Sequence, residues 1–232
     1  EVKKRQAVSG VDINLKQAWE TYGNGSHDTI VAMIDTGIDD THEDLKDTLW
    51  VNTDEIPENG IDDDGNGYVD DCYGWNFYNN NNQIFTGNED SHGTHGAGTI
   101  SAGTGNGIGI AGIVPGNRVR VMALKALGGT DGGGSTAAVI KAIRYAEDNG
   151  AVICNLSLTS TVDDKALYEA MKNSSMLFVV ATGNGNPHRN REEEIPHKPT
   201  NFDDIMSTSF EKDYRKPKPE DDLQVGLYGK IE

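Results

Sequence analysis

Residues 29–34, Thr-Ile-Val-Ala-Met-Ile, form a continuous apolar run that ends directly at Asp35. No polar residue interrupts this run after its first position, whereas a strand with one solvated face would alternate apolar and polar residues. Uninterrupted runs are typical of parallel strands that helices cover on both faces. We therefore predict a central parallel strand. Functional sites of such sheets lie at the carboxyl ends of the strands, which is where Asp35 stands.

Further apolar segments of strand length predict additional strands, at residues 119–124, 152–158 and 177–181. Helices are predicted between them. Residues 136–149 carry an apolar stripe, with Ser135 or Thr136 as the N-terminal cap and Gly150 as the stop, and a shorter helix is predicted at residues 162–172. Strands that alternate with helices predict a three-layer α/β/α fold with a mainly parallel central sheet.

The 232 residues carry no Pro/Ser-rich linker, so we predict one domain over residues 1–232. Residues 186–222 show little periodicity and are predicted to form loops, with one strand at residues 205–209. The longest apolar run, residues 176–181, is far shorter than the roughly 20 residues of a membrane helix, so no span is expected in this chain. Cys154 is predicted to be a buried thiol, unpaired with Cys72.

The charge of the chain is strongly negative, with 37 acidic against 20 basic residues and a formal net charge of −17. Such a surface repels phosphate backbones, which argues against nucleic acid as a partner. The acid is concentrated, because no Lys or Arg occurs between Lys46 and Arg118. Crowded carboxylates of this kind need open solvent or a bound cation.

Two glycine-flanked motifs carry the chemistry. The first is Ile34-Asp35-Thr36-Gly37, and the second is the run Ser-His-Gly-Thr-His-Gly that begins at Ser91. A carboxylate and an imidazole are two of the three members of a nucleophilic triad. Together the motifs resemble those of the subtilisin family of serine endopeptidases, whose triad follows the order Asp, His, Ser along the chain. The three-layer fold predicted above matches that of the family.

The resemblance implies roles for three residues. Asp35 matches the triad aspartate and His92 the general base, while Asn184, in the segment Val-Val-Ala-Thr-Gly-Asn, matches the asparagine that donates to the oxyanion. His95 is expected on the helix that begins near His92, in a structural role, because one positioned base suffices. Each motif taken alone has another interpretation. Asp-Thr-Gly also occurs in aspartic proteases. Asn184 follows a glycine, so it is also a candidate turn residue.

Two stretches resemble the edges along which the family binds an extended peptide as an added strand. Their residues are Gly132, Gly133, Gly134, Ser157 and Leu158. Thr159 departs from the family pattern, which usually has glycine after Ser-Leu. A side chain at this position would narrow the first specificity pocket, so the substrate preference stays open.

The acidic segment at residues 62–71 places oxygen donors at near-alternate positions, as calcium loops do. The candidate ligands are Asp62, Asp64, Asn66, Tyr68 through its carbonyl group, Asp70 and Asp71. The loop lacks the glutamate of the EF-hand template, because Tyr73 stands in its place. Residues 59–77 also resemble a calcium-loop insertion of bacterial and apicomplexan subtilases. Calcium is therefore the predicted cofactor, with a solvated acidic turn as the alternative.

A second calcium site is implied by the resemblance alone. It would consist of Asp44, Asn106 and carbonyl groups of residues 104–110.

The nucleophile segment of the family, Gly-Thr-Ser, occurs nowhere in the sequence. Ser207 and Ser209 lack its context. We expect the parent protein to be a secreted or lumenal serine endopeptidase that acts on protein or peptide substrates, with an inhibitory prodomain as a candidate partner and the serine beyond Glu232. The alternative is a non-catalytic, calcium-binding pseudoprotease. A zinc hydrolase built on His92 and His95 is disfavoured, because the metalloprotease glutamate is missing next to His92.

Overall fold

A six-stranded sheet forms the centre of the molecule. The computed structural model describes residues 13–23, 25, 27–116, 118–159 and 164–181, and the backbone of residues 225–228. The strands are β1 (Thr29–Asp35), β2 (Gly74–Asn76), β3 (Val119–Lys125), β4 (Leu127–Gly128), β5 (Gly133–Gly134), β6 (Ile153–Leu156), β7 (Leu177–Ala181) and β8 (Val225–Tyr228). The helices are α1 (Leu15–Tyr22), a short 3-10 helix (Asn88–Asp90), α2 (Ser91–Ser101), α3 (Thr136–Asp148) and α4 (Lys165–Asn173).

The strand order in the sheet is β2-β3-β1-β6-β7-β8. All neighbours run parallel except β7 and β8, which are antiparallel. A separate antiparallel hairpin of β4 and β5 follows β3 directly. The carboxyl ends of β1, β3 and β6 therefore lie at one edge of the sheet, and the segments that follow these strands come together there.

Two apolar clusters cover the two faces of the sheet. Ile34 and Leu124 belong to the cluster that holds the buried residues of α3 and α4, whereas Met33 and Ala123 belong to the one that holds Ala97 of α2. Alternate residues of the same strand thus enter opposite clusters, as the two-residue period of a strand requires. The three-layer α/β/α prediction is confirmed.

The predicted strands agree with the structure at their centres and differ at their ends. β1 and β3 each include one further residue, Asp35 and Lys125, and the strand at residues 177–181 is confirmed. The strand predicted at residues 152–158 is shorter, because the backbone pairs with β1 and β7 only over residues 153–156. The strand predicted at residues 205–209 lies outside the described residues.

The helices predicted at residues 136–149 and 162–172 each have a capping side chain at their start. The hydroxyl of Ser135 accepts a hydrogen bond from the backbone amide of Ala138 at the start of α3. α4 begins later than predicted because Asp164 caps it, accepting from the amides of Ala166 and Leu167. No helix in the described part of the chain is long and apolar enough to cross a membrane. Cys72 and Cys154 are free thiols.

Candidate active site

Asp35 and His92 meet at the carboxyl edge of the sheet. Asp35 is the last residue of β1 and His92 the second residue of α2, and Nδ1 of the ring lies 2.7 Å from Oδ1 of the carboxylate. The Asp35 side chain is fully buried, whereas the His92 side chain is 60% exposed. A buried carboxylate at this distance holds the Nδ1 proton, which leaves the other ring nitrogen as a proton acceptor. The pair has the geometry of an oriented general base.

The backbone around the pair is fixed by hydroxyl groups. Thr36 accepts a hydrogen bond at Oγ1 from the amide of Gly93, 3.1 Å away. Thr94 accepts at Oγ1 from the amide of Asp39 at 3.0 Å and donates to the carbonyl oxygen of Asp90 at 3.1 Å. These contacts join the loop that follows β1 to the first turn of α2, so the position of His92 depends on both segments.

A buried ion pair lies beside this region, and the sequence analysis missed it. Nζ of Lys125 is 2.6 Å from Oδ1 of Asp90, and the two side chains are 1% and 0% exposed. The ammonium group also donates to the carbonyl oxygens of Thr36 and Leu127. The sequence gives one hint of this ion pair, a single lysine at the end of an apolar strand. Lysine is rarely buried unless an opposite charge pairs with it, so such a lysine indicates a buried acidic partner.

The predicted peptide-binding residues lie in two segments of the chain, one after β3 and one after β6. Gly133 and Gly134 form β5, and a Cβ atom placed on Gly132 would lie 3.9 Å from Cγ2 of Thr36, which puts this glycine run close to Asp35. Ser157 and Leu158 follow β6 and are half-buried. Gly133 and Gly134 are exposed, and Gly132 is half-buried. Asn184 lies outside the described residues.

The acidic segment brings three carboxylates together. Oxygen atoms of Glu55, Asp62 and Asp64 all lie within 4.8 Å of one another. Asp62 also accepts from the amides of Asn66 and Gly67, which curls the loop around it. Glu55 could not be identified from the sequence as a candidate ligand, because it precedes the acidic segment at residues 62–71. Its carboxylate comes close to Asp62 and Asp64 only in the folded loop. Carboxylates at this separation suit a hard cation with oxygen ligands, such as calcium.

The other residues predicted for this loop have different surroundings. Asp71 is fully buried and accepts from the side-chain amides of Asn52 and Asn66. Both side-chain oxygens of Asp70 accept from backbone amides, those of residues 59 and 60, so Asp70 closes the loop. The ring of Tyr68 packs against Trp75 and other aromatic rings, with ring centroids 5.1 Å apart. This packing anchors the acidic loop to the sheet.

The residues of the second predicted metal site are also in contact. Asn106 donates through its amide nitrogen to Oδ1 of Asp44 at 2.7 Å, and the backbone amide of Ile110 donates to Oδ2 at 3.1 Å. The hydrogen bond from Asn106 is the main cause that lowers the pKa of Asp44 below its ordinary value, against the opposing effect of burial. Asp44 therefore stays ionised in a buried position.

Comparisons with known proteins agree with this geometry. A sequence model of the Subtilase family matches residues 26–216. The chain is 32% identical over 215 residues to "Subtilisin-like protease 1" of Plasmodium berghei, an alignment that covers 90% of this chain and 33% of that protein. It is 34% identical to the "Major intracellular serine protease" of Bacillus subtilis, covering 76% and 49%, and 33% identical to "Thermitase" of Thermoactinomyces vulgaris, covering 74% and 52%. The chain thus spans between a third and about half of the length of these relatives.

Proposed function

Because the chain belongs to the subtilase family, we propose that it forms part of the catalytic domain of a serine endopeptidase that hydrolyses peptide bonds in proteins. The observation that carries this proposal is the 2.7 Å contact between the exposed ring of His92 and the buried carboxylate of Asp35. An oriented imidazole open to solvent can take a proton from a hydroxyl group and return it to a leaving amine.

In the proposed mechanism, Asp35 keeps the Nδ1 proton on His92 and stabilises the imidazolium ion that forms when Nε2 takes the proton of the serine hydroxyl. Asn184 supplies a donor to the oxyanion of the tetrahedral intermediate, and loss of such a donor costs about 10²–10³ in kcat. The serine belongs to a Gly-Thr-Ser segment that this sequence does not contain. We propose that it lies beyond Glu232.

The substrate is proposed to bind as an extended strand between residues 132–134 and residues 157–158. Backbone groups of the glycine run would pair with the peptide, and the half-buried side chains of Ser157 and Leu158 would line the first specificity pocket. Thr159 is exposed at the end of that segment, and its side chain is proposed to narrow this pocket. A preference for small residues next to the cleaved bond follows.

Calcium is proposed as a structural cofactor of the acidic loop. Glu55, Asp62 and Asp64 would supply carboxylate oxygens, and the neighbouring Asn66, Tyr68, Asp70 and Asp71 would complete or shape the site. Bound calcium would hold the loop closed by neutralising these carboxylates. Asp44 and Asn106 form a second candidate site, supported by their 2.7 Å contact.

A serine-reactive fluorophosphonate probe tests the catalytic proposal on the natural full-length protein, folded in calcium and freed of any prodomain. We expect a label on one serine within a Gly-Thr-Ser segment, and its loss in His92→Ala. A second candidate function is a pseudoprotease that binds calcium through the carboxylate cluster of Glu55, Asp62 and Asp64. Absence of the label from the folded full-length protein would support this second function and overturn the first.

The calcium proposal has its own test. Asp64→Asn should weaken calcium binding, which isothermal titration calorimetry measures. It should also reduce the rise in Tm that calcium produces. In the unchanged protein, calcium at a hundred times its Kd should stabilise the fold by about 2.7 kcal/mol. Asp54→Asn is the matched control, because Asp54 is exposed in the same loop and is not one of the three clustered carboxylates. Equal calcium binding by the two variants would contradict the assignment.

The secreted or lumenal location and the inhibitory prodomain are also proposals, carried by the family resemblance. Localisation of the tagged full-length protein tests the first. Copurification of a processed N-terminal segment that inhibits the enzyme tests the second.

A further inference from the structure

Lys125 is a buried cation at the functional edge of the sheet. It is the last residue of β3, and its Cα is the register partner of Asp35 in the neighbouring parallel strand β1. Paired residues of adjacent strands direct their side chains to the same face of a sheet. Lys125 and Asp35 therefore emerge side by side, on the face that α2 covers.

The ammonium group of Lys125 has three oxygen partners, which match its three N–H donors. These are the carbonyl oxygen of Thr36, Oδ1 of Asp90 at 2.6 Å and the carbonyl oxygen of Leu127 at 3.2 Å. The other oxygen of Asp90 accepts from the amide of Thr86 at 2.6 Å and from its hydroxyl at 2.9 Å. Both charges are thus fully hydrogen-bonded inside the protein.

The partners of Lys125 adjoin both members of the Asp35 and His92 pair. Thr36 follows Asp35 directly, and Asp90 lies two positions before His92, at the start of α2. One side chain therefore ties the end of β1 to the first turn of the helix that carries the imidazole. Loss of either contact would move Nδ1 of His92 relative to Oδ1 of Asp35.

Stability alone gives little reason for this arrangement. Buried ion pairs can often be replaced by apolar side chains of similar volume without loss of stability, because desolvation of the charges offsets their attraction. What such side chains cannot supply is a directional contact to three separate segments. From this geometry we infer that Lys125, acting through Asp90 and the carbonyl oxygen of Thr36, is a positioning residue that sets His92 against Asp35; the inference rests on the proposed peptidase function.

The test compares kcat and KM of the natural full-length enzyme with those of Lys125→Met and of the double variant Lys125→Met with Asp90→Asn. The double variant leaves no unpaired buried charge, which protects its folding. Rates are divided by the active-site concentration, titrated with the fluorophosphonate probe. Lys141→Met is the matched control, because Lys141 is exposed on α3.

We expect kcat per titrated site to fall about tenfold to a hundredfold in the double variant, with KM within about twofold, because misplacement of a catalytic group by 1 Å costs on the order of 10² in rate. Lys141→Met should match the unchanged enzyme. If the double variant folds and keeps the kcat of the unchanged enzyme, Lys125 is structural and the inference is overturned.

A second readout separates this inference from the proposed function. The Nδ1 proton of His92, hydrogen-bonded to Asp35, should give a far-downfield NMR signal in the full-length protein, assigned by its absence in His92→Ala. Loss or an upfield shift of this signal in the double variant supports positioning by Lys125, even if the unchanged protein proves inactive. An unshifted signal overturns the inference.

Discussion

Gly93 approaches Gly37 so closely that a Cβ atom on Gly93 would lie 2.2 Å from the carbonyl oxygen of Gly37. The same Cβ atom would lie 3.2 Å from Oδ1 of Asp35. The first turn of α2 therefore packs directly on the loop that follows β1, with no side chain between the two backbones. This close packing allows the ring of His92 to reach the buried carboxylate.

Gly93→Ala should destabilise the full-length protein by about 1–3 kcal/mol, because the added methyl group overpacks against backbone that has no side chain to rearrange. Helix α2 should also move away from Asp35, which lowers kcat. Equilibrium unfolding in urea measures the first effect and steady-state kinetics the second.

Gly98→Ala in the same helix is the control for that variant. A Cβ atom there would meet only side-chain carbons of Ile110 and Leu45, at 3.9 Å. Its better helix propensity predicts equal or higher stability, by up to about 1 kcal/mol. Equal unfolding midpoints for the two variants would show that the close packing at Gly93 is unimportant.

Tyr145 links α3 to the acidic loop through a hydrogen bond from its hydroxyl to Oδ2 of Asp71. Burial, followed by this contact with a carboxylate, raises the pKa of Tyr145 far above its usual value, so the phenol stays a donor. Tyr145→Phe should cost about 1–3 kcal/mol in the free energy of unfolding, because the buried Asp71 loses one donor.

The control for this prediction is Tyr22→Phe, since the Tyr22 side chain is 77% exposed. Its effect should stay within about 0.5 kcal/mol. Urea denaturation in excess chelator measures both variants without a contribution from metal binding. A Tyr145→Phe variant as stable as Tyr22→Phe would mean that the buried hydrogen bond contributes nothing.

The central strands could be predicted from the sequence because their burial on two faces leaves an uninterrupted apolar run, as in β1 and β3. β2 could not, since Gly74–Asn76 is too short to show a period and forms only by pairing with β3. The hairpin of β4 and β5 was missed for the same reason: its four residues include three glycines, which favour turns over strands.

For the candidate site, the sequence identified motif residues and missed those that depend on tertiary contact. Asp35 and His92 stand in recognisable motifs, and the structure places them 2.7 Å apart. Lys125 and Glu55 carry no local pattern, because their partners come from distant positions in the chain. The roles of Asp35, His92, Asn184 and the metal-binding residues stay predictions until the experiments above are done.

Glu147 should make the stability depend on acid pH. It accepts hydrogen bonds from the backbone amide and the hydroxyl of Ser175, both at 2.7 Å. The backbone hydrogen bond is the main cause that lowers its pKa below 4.5, against the effect of burial. A carboxyl group whose pKa is lower in the folded state stabilises the protein above its unfolded pKa, and this contribution is lost as the pH falls through the folded pKa.

Glu147→Gln should therefore be less stable than the unchanged protein near neutral pH, by about 1 kcal/mol, and the difference should disappear in acid. Chemical denaturation across this pH range gives both values. Ser175→Ala removes the hydroxyl donor and keeps the backbone donor, so it should reduce the pH dependence only in part. A constant difference between Glu147→Gln and the unchanged protein at every pH would contradict the assignment.

The two cysteines should differ in reactivity, because the thiolate is the reactive form and burial suppresses it. Cys154 is fully buried in β6, and burial raises its pKa. Cys72 is half-buried; desolvation and then the charges of Asp70, Glu55 and Asp71 raise its pKa as well.

At about pH 8, near the ordinary pKa of a thiol, a maleimide should label Cys72 slowly in the folded protein and leave Cys154 unlabelled. In urea both should react within the same short time, because unfolding restores ordinary thiol pKa values. Peptide mapping by mass spectrometry assigns the label, with Cys72→Ser as the control for background labelling. Labelling of Cys154 as fast as that of Cys72 in the folded protein would contradict the burial of Cys154 in β6, between β1 and β7.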